Sequence, residues 1–214
     1  MKKYELTDEK IELSGRTLYR IRALRDFTLE SGKEVKAGDL GGYIEKEQNL
    51  SHEGGAWVYG GAWVYGDAKV YGDARVYDGA WIYDDVKVHG DAEVYGDAEM
   101  CGSAEVYDSA KVYDDAKVCG NAMIYGNAAV YGNAAVYGNA WVFGNAKVYG
   151  DADVCGDAKV YGNATVYGDA WVYGDADVCG DAKVYDNTMV CGDIWIYDDA
   201  EGDKYGEEQT NEGT

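Results

Sequence analysis

Gly54-Gly55-Ala56-Trp57-Val58-Tyr59 opens a stretch in which one six-residue phrase, close to Gly-Asp-Ala-x-Val-Tyr, recurs without insertion or deletion as far as Gly192-Asp193-Ile194-Trp195-Ile196-Tyr197. Twenty-four consecutive copies of so short a period describe a solenoid, in which each unit buries its apolar side only by stacking on its neighbours. As a strand the phrase alternates, so the Ala and Val positions share one side and the x and Tyr positions share the other. Composition decides which side is inner. The Val position varies only to Ile82, Met100, Ile124 and Ile196, and the Ala position departs only at Val86, Thr188 and Ile194. The x position admits Lys, Arg, Glu, Asp, Trp, Met, Ala and Thr, a mixture that suits a solvent face. Gly-Asp and Gly-Asn pairs between the strands supply the unusual backbone angles that corners need. Each hexad therefore reads as one short strand and one corner.

The phrase Val-Tyr-Gly-Asp-Ala-Lys resembles the hexapeptide repeat of the trimeric LpxA-like superfamily, in which an aliphatic residue is followed four positions later by a small one. That resemblance covers residues 54–197 and implies an all-β chain: a single-stranded, left-handed parallel β-helix of triangular section, about eight coils of three hexads each. One departure stands out, because the residue after the aliphatic is mostly Tyr here. The words Leu24-Arg25-Asp26-Phe27, Val35 to Glu45 and Asn49 to Gly54 resemble the lead segment of bacterial and bacteriophage hexapeptide-repeat proteins that carry no assigned activity.

Residues 1–53 are predicted to form a β-rich N-terminal cap, with a strand over Thr17–Ala23 and three or four short β segments in all. An open coil end exposes unpaired amides and bare Val, and a fused β segment would cover them. Residues 198–214, with seven acids and one lysine, are predicted to be an acidic disordered tail, with Ile194 filling the last coil beneath it.

The net charge of −21 divides into −1 for residues 1–53, −14 for 54–197 and −6 for 198–214. Acidic corners repel phosphate backbones and anionic membranes, so neither nucleic acid nor membrane is an expected partner. No leader-like apolar run is seen near Met1, so a cytoplasmic location is expected. The five cysteines, Cys101, Cys119, Cys155, Cys179 and Cys191, all replace Tyr and include no metal-ligand pair, so thiols are expected. Cys101 and Cys119 would stack in adjacent coils, which leaves a disulfide sterically open. The corners lack the calcium β-roll phrase, and no cofactor or metal is expected.

Candidate binding residues lie on the outside. With eighteen residues per coil, Tyr59, Tyr77, Tyr95, Tyr113, Tyr131, Tyr149, Tyr167 and Tyr185 form one unbroken column, while the seven replacements of Tyr fall on the other two. All six tryptophans occupy x positions, and Trp63 and Trp81, beside Tyr65 and Tyr83, make the densest aromatic patch. These residues are expected to serve assembly, as in a homotrimer, or contact with a glycan or polymer. Stacked tyrosines also stabilise a thin core without binding anything. Charges at x positions are expected to pair between coils: Arg75 and Lys111 with Glu93, Glu99 with Lys117, Lys87 with Glu105, and Lys159 with Asp177.

The resemblance also implies an alternative, an acyl- or acetyltransferase with a histidine base. The chain has two histidines. His89 replaces Tyr with Lys87 and Glu105 nearby, which makes it a weak catalytic candidate. Ser51-His52-Glu53 cannot act as a triad, since adjacent strand residues point to opposite sides. The zinc site of the γ-class carbonic anhydrases of this fold needs three histidines.

Overall fold

In the computed structural model, which describes residues 2–201 together with 204 and 205, strands two or three residues long follow one another at every hexad from Trp57–Val58 to Trp195–Ile196. Each pairs in parallel with the strand eighteen residues away, as Trp63, Trp81 and Glu99 do. The successive strands thus fall into three long parallel sheets, and the three-hexad coil read from the period is the coil observed. The stack amounts to about nine turns, one more than eight, because segments on both sides of the repeat add rungs.

The Ala and Val positions face inward, and nearly all of them from Ala56 to Val190 are fully buried in one continuous core. Thr188 lies among them with its hydroxyl satisfied: its one O–H has the Tyr185 carbonyl oxygen at 2.5 Å as acceptor, with Ala200 O at 3.2 Å as the alternative. Corners turn through a residue with positive φ. Gly96 (φ +71°) needs to be glycine, since a Cβ there would lie 2.8 Å from Asp114 N in the next coil. Asp78, Asp84, Asp108, Asp114 and Asp186 adopt the same left-handed conformation, each with a glycine at the corner eighteen residues earlier. Local hydrogen bonds offset the strain, as where Asp84 Oδ2 accepts from Gly102 N at 3.0 Å.

Before the repeat, β1 (Tyr4–Leu13) and β2 (Arg16–Ala23) form an antiparallel hairpin. The short pair β3 (Phe27–Thr28) and β4 (Glu34–Val35) follows, and then β5 (Leu40–Ile44). That makes five strands, two of them longer than the short segments expected. β5 pairs antiparallel with β2 and parallel with Trp63–Val64, so the hairpin continues one of the three sheets. Leu50 bridges Val70 on a second sheet. Buried Asn49 donates to Ala68 O (2.8 Å), and buried Lys3 donates to Ala56 O (2.6 Å), so backbone carbonyls of the first coil are satisfied by side chains.

The reading of residues 198–214 as a disordered tail requires correction at its start. Ala200–Glu201 pairs with Val184–Tyr185, and Lys204–Tyr205 pairs with Met189–Val190. The reason is visible in the residues, because Asp198-Asp199-Ala200-Glu201 repeats the Gly-Asp-Ala-x phrase once more, and Ala200 is buried. The remainder of that tail lies outside the described residues. Ile194 packs partly buried against the core.

The inward and outward positions can be told apart by adjacent substitutions. Ala128→Leu, at a fully buried position, is expected to cost about 1–3 kcal/mol through overpacking. Ala129→Leu, on the outer side, is expected to stay within about 0.5 kcal/mol. Equilibrium unfolding in urea reads both.

Candidate functional site

The outer side chains form columns because every rung lies directly over the last. In the unbroken tyrosine column, ring centroids are 4.8 Å apart from Tyr59 to Tyr77 and 5.3 Å from Tyr167 to Tyr185, with interplanar angles of 9° or less throughout. Such stacking covers the ring faces with one another, so the column offers solvent mainly edges and hydroxyls. Trp63 and Trp81 stack at 4.8 Å and 19°, and Tyr65 and Tyr83 beside them at 5.2 Å and 8°. The structure therefore brings together the four residues of the predicted patch. The Arg16 guanidinium, held by Glu45 at 2.9 Å, lies 5.9 Å from the Tyr65 ring centroid, so the amino-terminal hairpin flanks the patch.

Trp57 departs from the expectation that every tryptophan at an x position meets solvent. It is only 2% exposed, covered edge-on by Phe27 and Tyr4 from the amino-terminal segment. Two cysteines at outward positions, Cys179 and Cys191, are likewise buried. The expectation of five thiols needs correction too, since Cys101 and Cys119 form a disulfide, leaving Cys155, Cys179 and Cys191 as thiols. Stacked rungs hold the two Cα atoms 4.6 Å apart, within the range a disulfide spans.

All five expected inter-coil ion pairs are present. The Arg75–Glu93 pair, at 2.7 Å, differs from the exposed kind anticipated, because Arg75 is only 8% exposed. Glu93, Glu99 and Glu105 occupy successive hexads of one coil, and each meets the aromatic residue sixteen positions earlier. Tyr77 Oη donates to Glu93 at 2.9 Å, Tyr83 Oη donates to Glu99 at 2.5 Å, and His89 Nε2 lies 2.7 Å from Glu105 Oε1. His89 takes the place of a tyrosine in its ladder, stacked between Tyr71 (4.6 Å) and Tyr107 (5.2 Å), with the Lys87 ammonium 3.7 Å from the same Glu105. Both ring faces are thereby occupied.

His52 stacks on Tyr4 at 4.3 Å, and its Nδ1 accepts from Lys3 N at 3.2 Å. Burial, chiefly, holds it below the ordinary histidine range and so favours the neutral ring. Its role is to fasten the first strand to the solenoid. Among the described residues, no three His, Cys, Asp or Glu side chains are grouped so as to hold a metal ion. No described helix is long and apolar enough to cross a membrane.

A feature the sequence reading passed over is a groove of about 540 Å³ between Trp141 and Trp195. The signal was present in the numbering, since these residues are 54 positions apart and so share a column.

The geometry defines a repeat β-helix protein with outward tyrosine ladders. The family model described as the YdcK β-solenoid repeat matches residues 68–84, 116–132 and 158–174, each segment just under one coil. No curated protein matches the chain.

Burial pushes Tyr59 up to about 12. Tyr77 and Tyr83 are pushed higher still, by burial first and then by their bonds to Glu93 and Glu99. Because the folded values exceed the unfolded value of about 10, the stabilisation from neutral tyrosine is complete below pH ~10 and is lost as pH rises through the folded values. Titration of phenolate absorbance is expected to move upward by about 2 pH units for Tyr59-like groups relative to the protein in denaturant. Alkylation under denaturing conditions without reductant is expected to modify three of the five cysteines.

Proposed function

We propose that the chain is a non-catalytic structural or binding β-solenoid that uses its outward aromatic ladders for assembly or for contact with a ligand such as a glycan. In this reading the coil is left-handed and triangular, residues 1–53 cap its first turn, and the protein works in the cytoplasm. The single observation that carries the proposal is the unbroken tyrosine column, joined at one end of the molecule by the Trp63–Trp81 and Tyr65–Tyr83 stacks. A ladder continuous from Tyr59 to Tyr185 gives a long, straight, chemically uniform strip suited to a second copy of the same strip or to a linear polymer. The Trp63–Trp81 patch is the position at which sugar rings would stack.

The alternative, a hexapeptide-repeat acyltransferase, is favoured by one contact: a carboxylate 2.7 Å from His89 Nε2, as an oriented general base requires. Against it, Tyr71 and Tyr107 cover both faces of the imidazole, and no inserted loop builds a dry cleft around it.

Three measurements separate these readings. Light scattering is expected to give a mass above that of one 23.3 kDa chain, and a strict monomer would remove the assembly role. A glycan array is expected to show binding that the Trp63→Ser/Trp81→Ser variant loses; equal signals from both proteins would remove the patch. Acyl-CoA turnover is expected to be absent, whereas activity abolished by His89→Ala would establish the transferase.

A further inference from the structure

The column from Tyr59 to Tyr185 holds a tyrosine at every rung, with neighbouring ring centroids between 4.8 Å and 5.3 Å apart. Stacking alone does not require this. In another column Phe143 stands between Tyr125 and Tyr161, 4.9 Å from each at angles of 1° and 4°, so a ring without a hydroxyl stacks equally well. Both other columns are broken by residues that have no phenol, one at His89 and Phe143 and the other at the Cys101–Cys119 disulfide. What the unbroken column keeps from end to end is the phenolic O–H.

That hydroxyl matters for one-electron chemistry. An oxidised phenol is a strong acid, so a tyrosine gives up an electron readily where its proton can leave as well. A phenylalanine has no such proton and holds its electron more tightly. Tyr77 has a proton acceptor already in place, because its Oη donates to Glu93 Oε2 at 2.9 Å, within the reach of proton transfer. The Arg75 guanidinium at 2.7 Å and the Lys111 ammonium at 3.1 Å both approach the other oxygen, Oε1, which leaves Oε2 to the phenol. Tyr83 donates to Glu99 in the same way, but its stack runs only from Tyr65 to Tyr83 before the disulfide interrupts it.

We infer that the Tyr59–Tyr185 column relays oxidising equivalents along the solenoid and collects them at Tyr77, as a phenoxyl radical beside a protonated Glu93. The co-reactant is a one-electron oxidant. It takes an electron from a ring of the column, and that ring's phenolic proton passes to water. Each following step moves one electron from the next ring to the radical. The phenol thus re-formed takes a proton from water at the hydroxyl edge, and the newly oxidised ring releases one there, so charge balances at every rung. In the last step Tyr95 regains its electron from Tyr77 and its proton from water, while the Tyr77 proton moves to Glu93 Oε2. This activity needs neither a second copy nor a glycan on the ladder.

A ruthenium photo-oxidant tethered to the full chain at Lys183→Cys starts the relay in the strand that carries Tyr185. A Cys155→Ser background removes the partly exposed thiol and keeps the Cys101–Cys119 bond, while Cys179 and Cys191 are buried. Light with a cobalt(III) quencher generates ruthenium(III), and an N-methylated luminol traps phenoxyl radicals for peptide mapping by mass spectrometry. Label is expected on Tyr77, six rungs and roughly 29 Å from Tyr185, at least fivefold above that on Tyr83. Tyr131→Phe, which keeps the stack as Phe143 does, is expected to lower the Tyr77 label at least fivefold. Glu93→Gln, which keeps the shape but takes no proton, is expected to do the same. The Tyr131→Phe result stands whatever Glu93→Gln does to folding. Label confined to Tyr167 and Tyr185, or a Tyr77 label that survives Tyr131→Phe, would overturn the inference. So would equal label on Tyr83, a Tyr77 label unchanged in folded Glu93→Gln, or a yield that rises with protein concentration, which would mean transfer between molecules.

Discussion

Every feature of this molecule follows from one constraint: each rung must lie in register over the rung eighteen residues before it, because only then do Ala and Val close one continuous buried core. The core is narrow, and each coil contributes little more than three aliphatic and three small side chains. A slip of one residue would turn the entire apolar set outward, so the period is enforced at every step along the chain. The parallel hydrogen bonds that accompany this register satisfy the backbone on both sides of each coil, and the ends of the stack are met by β5 and Leu50 at one side and by Ala200 and Lys204 at the other.

Register also orders the surface. Once rungs coincide, any side chain repeated at the same hexad position becomes a ladder, and chemistry decides how far that ladder can run. Tyrosine stacks without limit because neutral rings attract face to face with a small offset. Asparagine ladders at the corners pass one amide donor upward, as from Asn127 to Asn145 to Asn163, and end at Asp181, which can only accept. Aspartates in the left-handed corner position have glycine at the corner before them, where a Cβ would collide with their backbone.

Much of the fold was legible in the residues alone. The strict period, the aliphatic Val position and the variable x position fixed strand, corner, inner side and the eighteen-residue coil. The ion pairs and the Trp63–Trp81 stack followed from the same arithmetic. What was not legible came from elements outside the repeat or from depth. Trp57 is buried because Tyr4 and Phe27 fold back on the first coil, a long-range contact that no periodicity encodes. The Cys101–Cys119 disulfide was open on geometry, since the eighteen-residue coil stacks the two positions on adjacent rungs, and the spacing alone did not decide between a bond and two thiols. The rungs at Ala200 and Lys204 were masked by tail composition, with separations of sixteen and fifteen residues from their partners instead of eighteen. The groove depends on the contrast between long and short side chains in one column, which a residue-by-residue reading does not register.

The most direct test of the eighteen-residue coil is a distance measurement by pulsed electron paramagnetic resonance, using nitroxides on cysteines introduced in a background lacking the native five. Lys69, Lys87 and Lys159 share one sheet. Lys87 and Lys159, four rungs apart, should lie roughly 19 Å from one another, and Lys69 and Lys159, five rungs apart, roughly 24 Å. A difference of one rung between the two pairs is the expected result. Distances that do not grow by that step, or that place Lys69 and Lys87 on different sides of the molecule, would contradict the account.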